Sequence, residues 1–255
     1  MSRRALVLKE LGLSPIWVRR HGFGADNTAA AESVAVEEFM PVEHPLVSAP
    51  APVAGVDRAA QIHAMDWPQL KSSASICTAC AIHKTRKQAV LGVGDEKAEW
   101  LFVGEGPGAE EDERGEPFVG QAGKLLDNML AAIALRRGNN VYIANVVKCR
   151  PPGNRTPEPA EAQACEPYLN RQIELIRPRL IVALGKVAAQ NLLGLEATLG
   201  SLRGRIHQYR GTPLIVTYHP AYLLRNLVDK SKSWEDLCFA VDTMQALKQQ
   251  QATPN

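Results

Sequence analysis

The sequence predicts an α/β fold, a mainly parallel sheet covered by helices on both faces. Three observations carry that expectation. Short β-branched runs alternate with stretches of helical periodicity, the runs are apolar along their whole length, and Gly, Pro or a polar residue ends each one. Strands covered on both faces read as near-continuous apolar runs, because neither side of the pleat meets water.

Trp100-Leu-Phe-Val-Gly104 is the first such run and enters a glycine-rich turn. Gln121 to Leu135 follows, with Leu125, Leu126, Met129, Leu130 and Ile133 at helical spacing. Val141–Val147, Leu180–Leu184 and Leu214–Tyr218 supply three more strands, with helices over 159–176 and 186–194. In open α/β sheets ligands bind beyond the carboxyl ends of the strands. Function is therefore expected around Gly104–Gly108, Asn145–Arg150, Gly185 and His219–Pro220.

The chain has 255 residues, with 29 Lys and Arg against 27 Asp and Glu and a net charge of +2. At 45% hydrophobic and 22% charged residues, the composition excludes collagen, coiled coil and wholesale disorder. No apolar run approaches a membrane span, and Lys9 and Glu10 interrupt the start too early for a signal peptide. A cytoplasmic, nucleoid-associated protein with no membrane contact is expected, most simply a monomer. The charge is segregated. Residues 95–127 are strongly acidic, while residues 177–232 carry nine bases and two acids. A basic half on a near-neutral chain suits a polyanion met by one face; scattered surface cations are the plain alternative.

Three regions follow from texture. Residues 1–24 form an arm with a short amphipathic pattern, residues 25–65 read as a disordered Ala/Pro/Val-rich linker, and residues 66–250 form the globular domain.

Cys77 and Cys80 form a C-x2-C pair, Cys149 follows a strand, and Cys165 sits in a helical stretch. In a chain without export signals such a set points to metal ligation, and four thiolates suit zinc or an iron–sulfur cluster alike. Two core cysteines beside a C-x2-C turn are the bland alternative. Cys238 stands apart and is expected to be a buried small hydrophobe. The loop Gly104-Glu-Gly-Pro-Gly108 is a poor phosphate cradle, because Pro107 removes an amide and Glu110, Glu111, Asp112 and Glu113 repel an anion. Most of that acidic run is expected to be solvated.

The segments GEGPGAEEDERGEPFVGQAGKLLDNML, YIANVVKCRPPGNRTP and YHPAYLLRN, with the four cysteines in register, resemble the family 4 uracil-DNA glycosylases. The resemblance runs from about Asp66 to Leu247. It implies a three-layer α/β/α sandwich around a mainly parallel four-stranded sheet, and a 4Fe-4S cluster on Cys77, Cys80, Cys149 and Cys165. A related branch that traps uracil covalently carries a basic insertion after FVG; here QAGKLL follows directly, which favours hydrolysis.

The resemblance also implies roles. Uracil-containing DNA, single- or double-stranded, is the partner. Phe118 stacks under a flipped base and Asn145 reads its edge, while His219 donates to uracil O2 with help from the loop Glu105, Gly106 and Pro107. Glu105 and Glu111 are the candidates for holding the attacking water, and Gly106 occupies a position where better-known glycosylases carry Asp or Asn. Leu223 or Leu224 fills the gap in the stack, and Arg225 meets phosphate. A non-catalytic iron–sulfur or zinc nucleic-acid-binding module on the same fold is the alternative function, and a dinucleotide oxidoreductase a more distant one.

Residues 1–24 lie outside that resemblance. Pro15, Ile16 and Trp17, bracketed by Arg3–Arg4 and Arg19–Arg20, form a composition typical of a peptide that docks in a partner groove. The segment resembles the N-terminal peptide of the ψ subunit of bacterial DNA polymerase III, which implies a clamp-loader or other replication protein as partner.

Overall fold

The computed structural model describes residues 57–252. The arm over residues 1–24 and most of the linker lie outside the described residues. In chain order the elements are α1 (Arg58–His63), α2 (Trp67–Ile76), β1 (Val93–Gly94), β2 (Trp100–Gly104), α3 (Ala109–Arg114), α4 (Gln121–Ala132), β3 (Val141–Asn145) and α5 (Pro159–Ile176). They continue with β4 (Leu180–Leu184), α6 (Lys186–Leu193), α7 (Leu199–Leu202), β5 (His207–Tyr209), β6 (Thr212–Thr217), α8 (Pro220–Arg225) and α9 (Lys230–Ala252).

The strands form one sheet in the order β1-β3-β2-β4-β6-β5. Its four inner strands run parallel. The sheet has six strands rather than the expected four, because β1 and β5 pair antiparallel on its two edges. The helices divide between the two faces, which completes the α/β/α arrangement.

Alternation across the pleat explains why the inner strands are apolar throughout. Leu101, Val103, Tyr142, Ala144, Ile181, Ala183, Leu214 and Val216 pack on one face with α1, α2, α5 and α6. Their neighbours Trp100, Phe102, Val141, Ile143, Leu180, Val182 and Ile215 pack on the other with α4 and α9. Phe102 is fully buried, and its truncation to Ala would cost about 3–5 kcal/mol.

Local chemistry sets the helix starts. Asp66 and Gln69 cap α2 reciprocally, with Pro68 in its first turn. Helix α5 begins at Pro159, where the Glu161 carboxylate accepts from the Glu158 N–H at 2.8 Å and binds Arg155 with both oxygens.

Three expectations are corrected here. Helix α1 falls inside the stretch read as linker; its Ile62 is 1% exposed and the helix packs on α5. Within the acidic run expected to be mostly solvated, Glu110 and Glu113 are exposed, but Asp112 is buried and accepts from the Lys87 and Gln88 amides, so it ties the chain before β1 to α3. Cys238 is only half-buried.

Candidate active site

Four strand ends feed one cavity of about 520 Å³. It is lined by the loop after β2, the turn at Phe118, Asn145 at the end of β3, residues 151–157, the start of α6, and His219 with α8. Of the residues singled out in the sequence, Glu105, Gly106, Pro107, Glu111, Phe118, Asn145, His219 and Arg225 all line it.

Asn145 is 1% exposed, and its Oδ1 is buried with no hydrogen-bond partner. A buried acceptor left unpaired costs about 1–3 kcal/mol, so a retained one points to a ligand that completes it. Gly104 makes room for this group. A Cβ there would lie 2.5 Å from both Asn145 Oδ1 and Phe118 Cζ.

Phe118 holds a left-handed backbone, φ 55°, which is costly for a bulky residue. Its surroundings fix that turn. Arg137 donates to the Pro117 carbonyl at 2.7 Å and to the Phe118 carbonyl at 2.8 Å, and pairs with Asp127. Gly123 of α4 lets the helix approach, since a Cβ there would lie 1.8 Å from the Phe118 carbonyl oxygen. The Phe118 ring sits 5.5 Å from the His219 ring, centroid to centroid.

His219 is the N-cap of α8, and its Nδ1 accepts from the Ala221 N–H at 3.1 Å. Burial pulls its pKa down to about 4; the Arg225 cation adds to this and Glu111 opposes it. The ring is therefore neutral at physiological pH. Gly185, with φ +92°, clears space for it, because a Cβ there would meet the His219 Cβ at 2.8 Å.

The two acids behave differently. Glu111 spends both oxygens on main chain: Oε2 accepts from the Gly108 N–H, and Oε1 from the Val119 and Gly120 N–H groups. It ties the glycine loop to the Phe118 turn. Glu105 carries a carboxyl raised by burial, with a Thr156 hydrogen bond opposing that rise.

The two leucines also separate. Leu223 is 1% exposed and packs with Met129, Tyr218 and Leu237, so it cannot also leave the core to enter a base stack. Leu224 is 42% exposed. Sequence reading missed Arg155, Thr156, Lys186 and Tyr222 on the cavity wall. The NRTP run after the cysteine was the available signal for the first two.

Cys77, Cys80, Cys149 and Cys165 surround a second, smaller cavity that shares no lining residue with the first. Arg86 donates to Cys149 Sγ at 2.9 Å, the Lys148 N–H to Cys165 Sγ at 3.2 Å, and Arg58 to Cys77 Sγ at 3.4 Å. Burial raises the Cys149 thiol and pushes Cys165 up to about 12, against Arg86 and Lys148 respectively. Burial acts the same way on Cys77, but the Ala79 amide, Tyr168 and Arg58 outweigh it and hold that thiol low. Among the described residues no three His, Cys, Asp or Glu side chains converge as a single ion requires. Four sulfurs set around one space, with N–H donors aimed at three of them, suit a metal group held by thiolates.

Residues 91–238 match the Uracil DNA glycosylase superfamily. A type-4 uracil-DNA glycosylase of Archaeoglobus fulgidus is 53% identical over 156 residues, which is 58% of this chain and 78% of that one. One from Pyrobaculum aerophilum is 45% identical over 181 residues, 68% of this chain and 92% of that one. This chain belongs to the type-4 uracil-DNA glycosylases. A type-5 uracil-DNA glycosylase of Pyrobaculum aerophilum is more distant, 33% identical over 148 residues, 51% of this chain and 64% of that one. The superfamily match runs from just before β1 into the first turns of α9 and thus covers every strand end that lines the large cavity. Cys77 and Cys80 precede the matched residues. Among the described residues no helix is long and apolar enough to cross a membrane.

Proposed function

We propose that this protein removes uracil from DNA by hydrolysing its N-glycosidic bond, the entry step of base excision repair. The observation that carries the reading is the buried, unpartnered Oδ1 of Asn145 in a cavity that also holds Phe118 and His219.

A base inside the duplex stack is out of reach, so the nucleotide is flipped into the cavity, where Phe118 offers a flat stacking face. The Asn145 amide accepts from uracil N3–H and donates to O4. Cytosine presents the reverse pattern and would leave buried polar groups unpaired, which is the strongest form of rejection. As the bond between C1′ and N1 breaks, its electron pair moves onto uracil and charge grows at O2. The neutral His219 ring donates to that oxygen through Nε2, and the Glu105 and Gly106 amides add preorganised dipoles; Pro107 has no N–H to give. Water adds to the sugar cation at C1′, and the proton it loses neutralises the departing uracil anion, so the products are free uracil and an abasic sugar. Glu105 is the acid that holds this water, because Glu111 is occupied by three amides.

Leu224 fills the space left in the stack, and Arg225, with Lys186 at the cavity wall, meets phosphates, while Glu161 already occupies the Arg155 guanidinium. Of the basic stretch from Arg177 to Lys232, Lys186 and Arg225 line the cavity, whereas Arg177, Arg179 and Arg210 precede β4 and β6 at the other end of the sheet.

Cys77, Cys80, Cys149 and Cys165 would hold a 4Fe-4S cluster. Bound there, it supplies thiolate–iron bonds that cross-link three distant segments and takes no part in bond cleavage. The arm over residues 1–24 would tether the enzyme to a clamp loader or another replication protein, where misincorporated uracil arises in the cytoplasm; the linker raises local concentration without fixing orientation. Deleting residues 1–56, which spares α1 and Arg58, should abolish retention of replication proteins and leave excision from a short oligonucleotide unchanged.

The decisive assay offers the full-length protein single- and double-stranded oligonucleotides carrying one uracil. Free uracil and an alkali-labile site are the expected products. DNA binding without uracil release would instead identify a non-catalytic binding module.

A further inference from the structure

Lys148 is a buried cation that the chemistry above does not use. It is 2% exposed, and its Nζ donates to the main-chain carbonyl of Asn145 at 2.7 Å. Its own main chain is held at both ends. The N–H donates to Cys165 Sγ, and the carbonyl accepts from the Val90 N–H at 2.7 Å. The next residue is Cys149. One residue thus touches the cysteine cage with its backbone and the base-reading asparagine with its side chain.

The position is informative. Pairing between β1 and β3 ends at Val93 and Ile143, so the Asn145 carbonyl lies beyond that ladder and takes the Lys148 ammonium as its donor. A buried carbonyl without a donor is costly, and a buried ammonium without nearby negative charge more so. The carbonyl gives Lys148 its hydrogen bond. The sulfurs of Cys149 and Cys165 lie close enough to act on its charge, and they are anionic when they ligate a metal group.

We propose that Lys148 is a positioning residue that spans from the cysteine cage to Asn145 and fixes the direction of the base-reading amide. This rests on the glycosylase reading, and it makes uracil affinity depend on the cage through one side chain. The cage then shapes recognition as well as holding the fold.

A double-mutant cycle in full-length, iron-loaded protein tests this, using Lys148→Met and Asn145→Ala. The readouts are iron content, excision under single-turnover conditions, and inhibition by free uracil. Lys148→Met should keep its iron, lose about tenfold in excision and weaken uracil inhibition by a similar factor, the scale of one charge-assisted hydrogen bond. In the Asn145→Ala background the same change should add little, since the group being positioned is gone. Lys148→Gln, which keeps a donor, should recover part of the loss. Additive losses, or unchanged uracil inhibition in Lys148→Met, would overturn the proposal. So would loss of iron or folding in both Lys148 variants, which would assign the residue to cage assembly alone. Absence of uracil release by the unmodified protein would sink the glycosylase reading instead, so the two failures are distinct.

Discussion

The Ala221 N–H donates to Nδ1 of His219 at 3.1 Å, and this one contact assigns the proton of the ring. A nitrogen that accepts from an amide carries no hydrogen, so the neutral imidazole keeps its hydrogen on Nε2. The cap that starts α8 thereby also sets the tautomer needed in the cavity.

Removing that donor should slow chemistry more than binding. His219→Ala is expected to lower the single-turnover rate by about 10²–10³, the usual worth of one donor at developing negative charge. DNA affinity, followed by fluorescence anisotropy, should hardly change. A wild-type rate in the variant would remove His219 from the mechanism.

The same residue makes the fold sensitive to mild acid. Burial, reinforced by Arg225, lowers its pKa from 6.5 to about 4. Between those values the unfolded chain binds a proton that the folded protein does not, so stability falls as pH falls through that window. Over the whole window the loss reaches about 3 kcal/mol. His219→Asn keeps an oxygen to cap α8 but does not titrate. Urea melts between pH 6.5 and 4 should show a shallower loss in that variant.

Specificity should follow Asn145. Asn145→Asp is expected to lose at least about 10² in uracil excision and to gain weak activity on cytosine, because a protonated carboxyl can pair with the cytosine edge. Parallel assays on oligonucleotides with uracil or cytosine at one position decide this. Unchanged preference would move base reading to another residue.

Gly104 tests how tightly the pocket is drawn. The added methyl of Gly104→Ala would press on the tips of Asn145 and Phe118. Uracil excision should fall at least about tenfold, with only a modest drop in melting temperature, because the clash is with side-chain ends rather than backbone. Equal activity would mean that the amide and ring move aside freely.

Metal chemistry should separate the cysteines. Anaerobically purified protein is expected to be brown, with thiolate-to-iron absorbance in the visible range. Cys149→Ala should bleach it and lower thermal stability, and Cys238→Ala should leave colour and iron content intact. Colourless, zinc-loaded protein that still released uracil would overturn the cluster assignment.

The inner strands were legible because both of their faces are buried, so each reads as an unbroken apolar run. The edges were not. Val93–Gly94 is too short to make a pattern, and His207–Tyr209 is polar enough to pass for a loop. Asn145 and His219 were legible because they end strands within long motifs. The burial of Leu223 was harder to see, since two adjacent leucines give no sign of which one faces inward. Glu111, named as a candidate to hold the water, lines the cavity from the first turn of α3, but its three-residue spacing from Gly108 is that of a helix cap, and the cap occupies the carboxylate. Lys148 could not be found from sequence, because a lysine beside a cysteine carries no mark of complete burial.

The large cavity takes its walls from residue 105 at one extreme and residue 225 at the other, with the sheet between them. Contacts so far apart in sequence form late, since the chain must close long loops before they stabilise anything. During synthesis a chain ending before Tyr218 would already contain Phe118 and Asn145 but lack His219. Such a nascent chain lacks the donor proposed to stabilise the departing uracil. Competence arrives in one step, when β6 joins the sheet and α8 brings His219 to the others.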